Sequence, residues 1–300
     1  MSLHIRIGTR GSALALWQAE HVRGLLVARG HDVTRHEITT TGDKVLDRRL
    51  ESIGGKGAFL KALEEALLDG QVDLAVHSLK DVPTALPAGL MLCAFLERAD
   101  PRDVLISNSG KRLATLPAGA RVGTSSLRRS SQVKAMRPDL HVDDLRGNVD
   151  TRIRRLRERH YDAILLAMAG LVRLGRTGEV TQVLEPEVFV PAPGQGAIAL
   201  ECREDDEAVR AVAATLHHEA TGRAVSAERA FLAALEGGCN VPLGAHASAG
   251  GGGLRLRAFV ARPDGTTLLR AEDGGGDPEA LGRRVAADLL ARGAWQLVRS

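Results

Sequence analysis

The residue types in this sequence that can do chemistry are cations and carboxylates set beside glycines and helix starts. In Val-His77-Ser78-Leu-Lys80-Asp81-Val-Pro83 an imidazole, a hydroxyl, an ammonium and a carboxylate follow the apolar run 72–76. Ligands of open α/β sheets bind beyond the carboxyl ends of the strands, so these side chains stand where a ligand can be reached. The plain alternative is a polar loop stopped by Pro83. A second segment, Val-Gly123-Thr124-Ser125-Ser126-Leu-Arg128-Arg129, has the order strand, glycine, hydroxyls, helix. Amide groups at a helix start, joined by hydroxyls and two guanidiniums, attract an anion. Its alternative is a capped helix with a solvated arginine pair. The Walker lysine pattern and a strict G-x-G-x-x-G are both missing, which argues against a nucleotide.

Further cations repeat the arrangement. Arg10-Gly-Ser12 follows the first strand-like run, and Arg146-Gly147-Asn148 follows another, with Arg152 in the next helix. Lys56 lies in Gly-Gly-Lys-Gly and Arg173 in Gly-Leu-Val-Arg-Leu-Gly. Arg154, Arg155, Arg157 and Arg159 read as a solvated helix face. Each cation alone is a weak signal; together they predict a site for a ligand bearing several carboxylates or phosphates.

Cysteine chemistry narrows the reading. Cys239 in Gly-Gly-Cys-Asn-Val-Pro sits in a tight turn whose glycines leave its sulfur accessible, although most lone cysteines are inert small hydrophobes. Cys93 and Cys202 lie in apolar strand-like runs and read as buried. Three cysteines far apart give neither metal-ligand spacing nor a disulfide framework, and point to a reduced, cytoplasmic setting. No H-E-x-x-H or G-x-S-x-G occurs, and the His217-His218 pair reads as a helix cap.

The elements that must position these groups follow from the pattern. Strands at 3–7, 33–39 and 72–76 alternate with helices at about 12–28 and 58–68, which is βαβ grammar and points to a parallel sheet. A break at Ala-Asp100-Pro-Arg-Asp103 precedes a restart: a strand ending at Gly123, a helix over 126–136, a strand at 140–144, a basic helix over 149–159 and a strand over 161–167. Val-Pro-Ala-Pro-Gly-Gln-Gly196 forms a second linker, followed by a strand at 197–202. Two α/β units joined by two linkers suggest a hinged pair with a cleft. After a helix at 219–235 the pattern changes to β-like runs at 243–248, 254–261 and 267–272, divided by glycine clusters, and then a helix at 278–292. That is a small α+β domain.

Composition excludes several classes. The 300 residues are 44% hydrophobic and 26% charged, the balance of a soluble globular protein of two or three domains. No apolar run nears the roughly 20 residues needed to span a bilayer, and the first residues lack the apolar region of a signal peptide. The net charge is only +3 and aromatics are 3%, leaving few platforms on which bases could stack. Six lysines stand among 40 basic residues, the last being Lys134; codon usage explains the preference, while guanidinium forks also suit carboxylates.

In this order the segments around Arg10 and Ser12, Lys56, His77 to Pro83, Ser126 to Arg129, Arg146 and Cys239 resemble the successive signatures of the porphobilinogen deaminase (hydroxymethylbilane synthase) family. The match runs from about residue 5 to the end. The resemblance implies two hinged, doubly wound α/β domains like those of periplasmic binding proteins, at 1–98 with 195–216 and at 102–191. A small α+β domain at 219–300 completes the chain. It implies a transferase that condenses four porphobilinogens, with loss of ammonia, on a dipyrromethane cofactor joined to Cys239 by a thioether. Asp81 would be the catalytic carboxylate. Lys80, Ser126, Arg128, Arg129 and Arg146 would hold the cofactor, and Arg10, Ser12, Lys56, Arg152 and Arg173 the substrate. No metal, nucleic acid or membrane is implied, and a monomer is. Ser52, Asn240 and Ala13 depart from common family residues, Ser52 standing where many relatives have a second lysine. The competing class is a non-catalytic anion-binding protein on the same scaffold, which would need neither Asp81 beside Lys80 nor a glycine-flanked cysteine.

Overall fold

The structure, a computed structural model, describes residues 2–38, 57–235, 241–250 and 252–299. In chain order the first run comprises β1 (His4–Thr9), α1 (Ala13–Val27), β2 (Asp32–Glu37), α2 (Gly57–Leu68), β3 (Leu74–Ser78) and β4 (Leu90–Phe95). A second run comprises β5 (Asp103–Ser107), β6 (Arg121–Gly123), α3 (Leu127–Met136), β7 (His141–Asp143), α4 (Val149–Arg157), β8 (Ala163–Ala167), α5 (Met168–Arg173) and β9 (Gln182–Leu184). Then come β10 (Ile198–Arg203), α6 (Glu207–Ala214) and α7 (Glu219–Ala234). The chain ends with β11 (Leu243–Gly250), β12 (Gly253–Ala261), β13 (Leu268–Gly275), α8 (Pro278–Ala291) and α9 (Ala294–Arg299). Two compact units result: Met1–Arg98 with Ala197–Gly222, and Ala99–Gly196 with Arg223–Ser300.

The first unit is built on a five-stranded sheet of order β2-β1-β3-β10-β4. Its sequence alternation splits the core between two faces. Ile5, Ile7, Leu74, Val76, Ile198 and Leu200 pack with Ala19, Val22 and Leu26 of α1 on one face. Ala75 and Leu90 pack with Leu63, Ala66 and Leu67 of α2 on the other. The sheet is therefore doubly wound, but it is not all parallel: β10 runs antiparallel to both β3 and β4. A strand that arrives by a long connection is not bound to the βαβ geometry that makes its neighbours parallel.

The second unit repeats this plan. Its sheet has the order β7-β6-β8-β5-β9, with β5 antiparallel to β8 and β9. Val122, Leu165 and Phe189 pack with Val133 of α3 on one face, and Ile153, Leu156 and Leu171 cover Ile164 and Leu166 on the other. The unit also holds an antiparallel sheet, β11-β12-β13, with its own core of Phe231, Leu256, Val260, Val285 and Leu289. The architecture is thus two α/β sheets and a small α+β part.

Two differences from the pattern-based reading matter for the site. The expected strand at 72–76 is found at Leu74–Ser78, which brings His77 and Ser78 into the sheet rather than a loop. The expected linker at 99–103 already contains the first residue of β5, because Asp103 opens that strand.

Candidate active site

In the first unit β1 and β3 are parallel neighbours, so their carboxyl ends share one edge of the sheet. Beyond β1, Arg10 and Gly11 lead to Ser12, whose Oγ accepts from Ala15 N at 3.3 Å and caps α1. That bond uses the hydroxyl as an acceptor and leaves its proton to donate. Arg10 and Ser12 are both half-buried. Beyond β3 the chain makes one 3-10 turn, Leu79–Asp81, closed by Val82 N donating to Leu79 O at 3.0 Å. Lys80 and Asp81 are adjacent on that turn and half-buried.

The turn is held at three successive residues. His77 Nε2 meets Glu201 Oε2 at 2.8 Å. Gln18 Nε2, from α1, donates to Ser78 Oγ at 2.7 Å. Leu79 N donates to Ala197 O at 3.0 Å. His77, read as a group within reach of a ligand with a polar loop as the alternative, is a buried strand residue with a buried carboxylate partner.

In the second unit β6 lies between β7 and β8, parallel to both, and again the strand ends carry the polar groups. Gly123 ends β6 where a Cβ would meet Tyr161 Cδ1 at 2.8 Å and Leu145 Cδ2 at 2.9 Å, so only glycine fits. Ser126 caps α3 by accepting from Arg129 N at 3.4 Å. After β7, Gly147 takes φ +108° and Asn148 caps α4 by accepting from Thr151 N at 2.9 Å. Arg152 Nε donates to Gly147 O at 2.7 Å, while Arg146 is exposed and its Nε donates to Asp144 at 2.8 Å. Arg173, ending α5, is buried and donates to Gly196 O at 2.7 Å; burial pulls its pKa down to about 10.

Arg128 and Arg129 are neither a solvated pair nor open cations. Their side chains are 7% and 6% exposed, and both converge on Asp103, which is fully buried. Arg128 Nη1 and Nη2 donate to Asp103 at 2.6 and 3.1 Å, and Arg129 Nε donates at 2.9 Å. The remaining donors reach Val190 O at 2.7 Å and Leu165 O at 3.1 Å. Gln195 Nε2 adds a bond to Asp103 at 3.0 Å. Burial alone would raise the Asp103 carboxyl; the Arg128 and then the Arg129 guanidinium outweigh it and hold it well below the usual range. Burial pulls Arg128 down.

Asp103, Gln195, Glu201 and Gln18 were missed from sequence. An acidic residue opening the run Asp103-Val-Leu-Ile, and another inside Ile-Ala-Leu-Glu201-Cys, are the signals that could have found the two carboxylates. The solvated face was read correctly: Arg154, Arg155, Arg157 and Arg159 are all exposed. So was the histidine cap, since His218 Nδ1 accepts from Thr221 N at 3.3 Å in the first turn of α7. Cys202 is buried in β10 and Cys93 half-buried in β4. Lys56, Ser52, Cys239 and Asn240 lie outside the described residues. Among the described residues no group of His, Cys, Asp and Glu could hold a metal ion.

Comparison with known proteins gives a consistent result. Residues 5–211 match the family model described as porphobilinogen deaminase, dipyromethane cofactor binding domain, and residues 223–291 match the porphobilinogen deaminase C-terminal domain. The porphobilinogen deaminase of Brevibacillus brevis is 50% identical over 98% of this chain and 96% of its own length. That of Syntrophobacter fumaroxidans is 51% identical over the same shares. A periplasmic substrate-binding protein from Coxiella burnetii aligns at TM-score 0.44 and 15% identity, covering 72% of this chain and 93% of that one.

Proposed function

Since this chain belongs to the porphobilinogen deaminase family, we propose that its reaction is carried by Asp81 on the turn beyond β3. The activity is the stepwise condensation of four porphobilinogens, with release of ammonia, to the linear tetrapyrrole hydroxymethylbilane. The observation that carries the residue assignment is the Lys80–Asp81 pair at a strand's carboxyl end, fixed by bonds to His77, Ser78 and Leu79. Loss of ammonia from an aminomethylpyrrole leaves a cation conjugated with the pyrrole nitrogen. A fixed carboxylate near that nitrogen stabilises charge that develops only in the transition state.

The donor set fits a polycarboxylate. Each porphobilinogen brings two carboxylates, and both units place cations or helix-capping hydroxyls at strand ends. Arg10, Ser12, Lys56, Arg152 and Arg173 are the groups to receive the substrate's acidic side chains. An anion beside the buried Arg173 would favour the charged guanidinium that burial disfavours. Lys80, Ser126, Arg128, Arg129 and Arg146 are the groups to hold the dipyrromethane cofactor on Cys239. When bound, that group supplies the primer to which the first pyrrole is joined. Arg128 and Arg129 would serve it from the position in which Asp103 fixes them. Domain limits at 1–98 with 195–216, 102–191 and 219–300, a monomeric state and a cytoplasmic location complete the reading. No helix among the described residues is long and apolar enough to cross a membrane.

The test is single-turnover ammonia release by folded, cofactor-loaded enzyme. Asp81→Asn keeps shape but not charge and should lose on the order of 10²–10³ in rate. Asp81→Glu should fall between it and the native chain. An intact mass should show the two-pyrrole unit on the native chain and none on Cys239→Ser, because a hydroxyl is a poor nucleophile beside a thiolate. Native rates from Asp81→Asn would remove that residue from the chemistry.

A further inference from the structure

Strands β3 and β10 carry little information about their own register. Leu74, Ala75, Val76 and His77 of β3 are buried, as are all residues of β10 from Ile198 to Cys202. Where both faces are apolar and covered, a slip of two residues keeps every side chain on its face, and alternation does not forbid it. Such a slip would carry the end of β3 about 7 Å along its partner. It would also break the bond from Leu79 N to Ala197 O that holds the turn bearing Lys80 and Asp81.

Polar contacts distinguish the observed register at both ends. At the far end Arg203 of β10 donates to Val72 O at 2.9 Å and to Asp73 at 3.4 Å. At the end bearing Lys80 and Asp81 the one such side-chain pair among the described residues is His77 with Glu201. Ala199 faces His77 and Glu201 faces Ala75, so His77 and Glu201 are diagonal neighbours on one face of the sheet. Their side chains are 6% and 0% exposed and meet at 2.8 Å. On the other side of β10 the register with β4 shifts between Leu200 and Glu201, so that pairing cannot correct a slip by simple alternation. The charged group facing the pair is Glu64 of α2, with Glu65 behind it; Cys93 of β4 packs on the other face of the sheet with Cys202. Glu64 is buried, and its carboxyl is pushed up first by burial and then by the charge on Glu201.

We propose that the His77–Glu201 pair is a register lock between β3 and β10 that positions Asp81. The inference rests on the assignment of Asp81 to the chemistry. Stability does not account for the pair. Glu201 Oε1 is buried with no hydrogen-bond partner among the described residues. Buried charged pairs are commonly replaced by apolar residues without loss of stability, and fixing a register is their best-attested use. A displaced carboxylate is costly to catalysis, since misplacement by about 1 Å can lower a rate by about 100-fold.

The double variant His77→Leu/Glu201→Leu separates the two roles. It should melt at or above the native temperature, release ammonia in single turnover at least about tenfold more slowly, and exchange the Leu79 amide faster. The slowing should vanish in the Asp81→Asn background, where there is no charge left to position. Native turnover and native Leu79 exchange in the folded double variant would overturn the proposal, as would equal slowing with and without Asp81. If the leucine pair does not fold, His77→Phe/Glu201→Met, which also removes both partners and matches their volume more closely, is read in the same way. An active Asp81→Asn chain would instead refute the catalytic assignment, so the two failures are distinguishable.

Discussion

Replacing Asp103 by asparagine should be among the most damaging single changes in the second unit, although it alters neither shape nor size. The carboxylate is fully buried and accepts from Arg128 at 2.6 and 3.1 Å, from Arg129 at 2.9 Å and from Gln195 at 3.0 Å. An amide offers one acceptor oxygen and turns an N–H₂ donor toward groups that only donate. Two guanidiniums would then stand side by side in a dry interior, with like charges and no anion. Removing one partner of a buried ion pair costs about 3–5 kcal/mol. For a domain of this size each kcal/mol is worth about 2–4 °C in melting temperature, so the transition should fall by about 10 °C. The cost is a large fraction of a typical total stability of about 5–15 kcal/mol.

The assay is a thermal melt of folded Asp103→Asn beside the native chain. A second arm replaces the cluster by Asp103→Leu/Arg128→Met/Arg129→Leu. Filling the same volume with apolar atoms removes the uncompensated charges, so this chain should melt within a few degrees of native. It should still lack turnover if the two arginines are functional. A melt of Asp103→Asn within about 2 °C of native would mean that Asp103 is not what holds the arginines. Native turnover in the triple variant would mean that the arginines serve only the fold.

Two further outcomes are expected. Arg146→Lys keeps its charge but loses the fork suited to a carboxylate, so it should slow turnover with little change in melting, whereas Arg155→Lys, on the exposed face of α4, should be silent; equal effects in steady-state rates would misplace the site. Asp73 accepts from Arg6 N and Nε at 2.9 Å and Nη2 at 2.6 Å, bonds that outweigh burial and hold its carboxyl below the usual range. The stability it adds is therefore present above the ordinary carboxylate pKa and lost as pH falls through the lowered one, so Asp73→Asn should melt lower at pH 7, by about 2 kcal/mol, change less with pH below about 4, and keep its turnover when folded.

What was legible in the sequence was local. Ser12, Ser126 and Asn148 each precede a helix and each caps it, because a short oxygen side chain at that position bonds an amide inside the first turn. Long periodic helices such as α1 and α8 were found within two residues of their ends. Short elements were not: β5, β9, α5, α6 and α9 were absent from the reading, and β4 entered it only as the strand-like run around Cys93. Helix α5 spans six residues and β9 three, less than the pattern needs to repeat. For β5 the turn chemistry of Asp-Pro-Arg-Asp hid a strand whose first residue is itself acidic.

What was not legible was pairing across the chain. Residue type identified Arg128, Arg129 and His77 as groups able to do chemistry, but whether a cation faces solvent or a buried acid is decided by residues far away. Asp103 lies 25 residues from Arg128, and Glu201 lies 124 from His77. The two acids share a place in the topology. Strand β5 is fourth in its sheet and antiparallel to β8; strand β10 is fourth in the other and antiparallel to β3. Each is the strand laid down when the chain enters its unit from the other. Each brings a fully buried carboxylate to groups near the parallel strand ends, Asp103 to the start of α3 and Glu201 to the end of β3. Inserting such a strand is a non-local step with a large loop to close, and apolar contacts alone would leave its register open. In the first unit the His77–Glu201 pair closes that choice beside the turn bearing Asp81; in the second, Asp103 ties the start of β5 to Arg128 and Arg129 of α3 and so sets those groups in place.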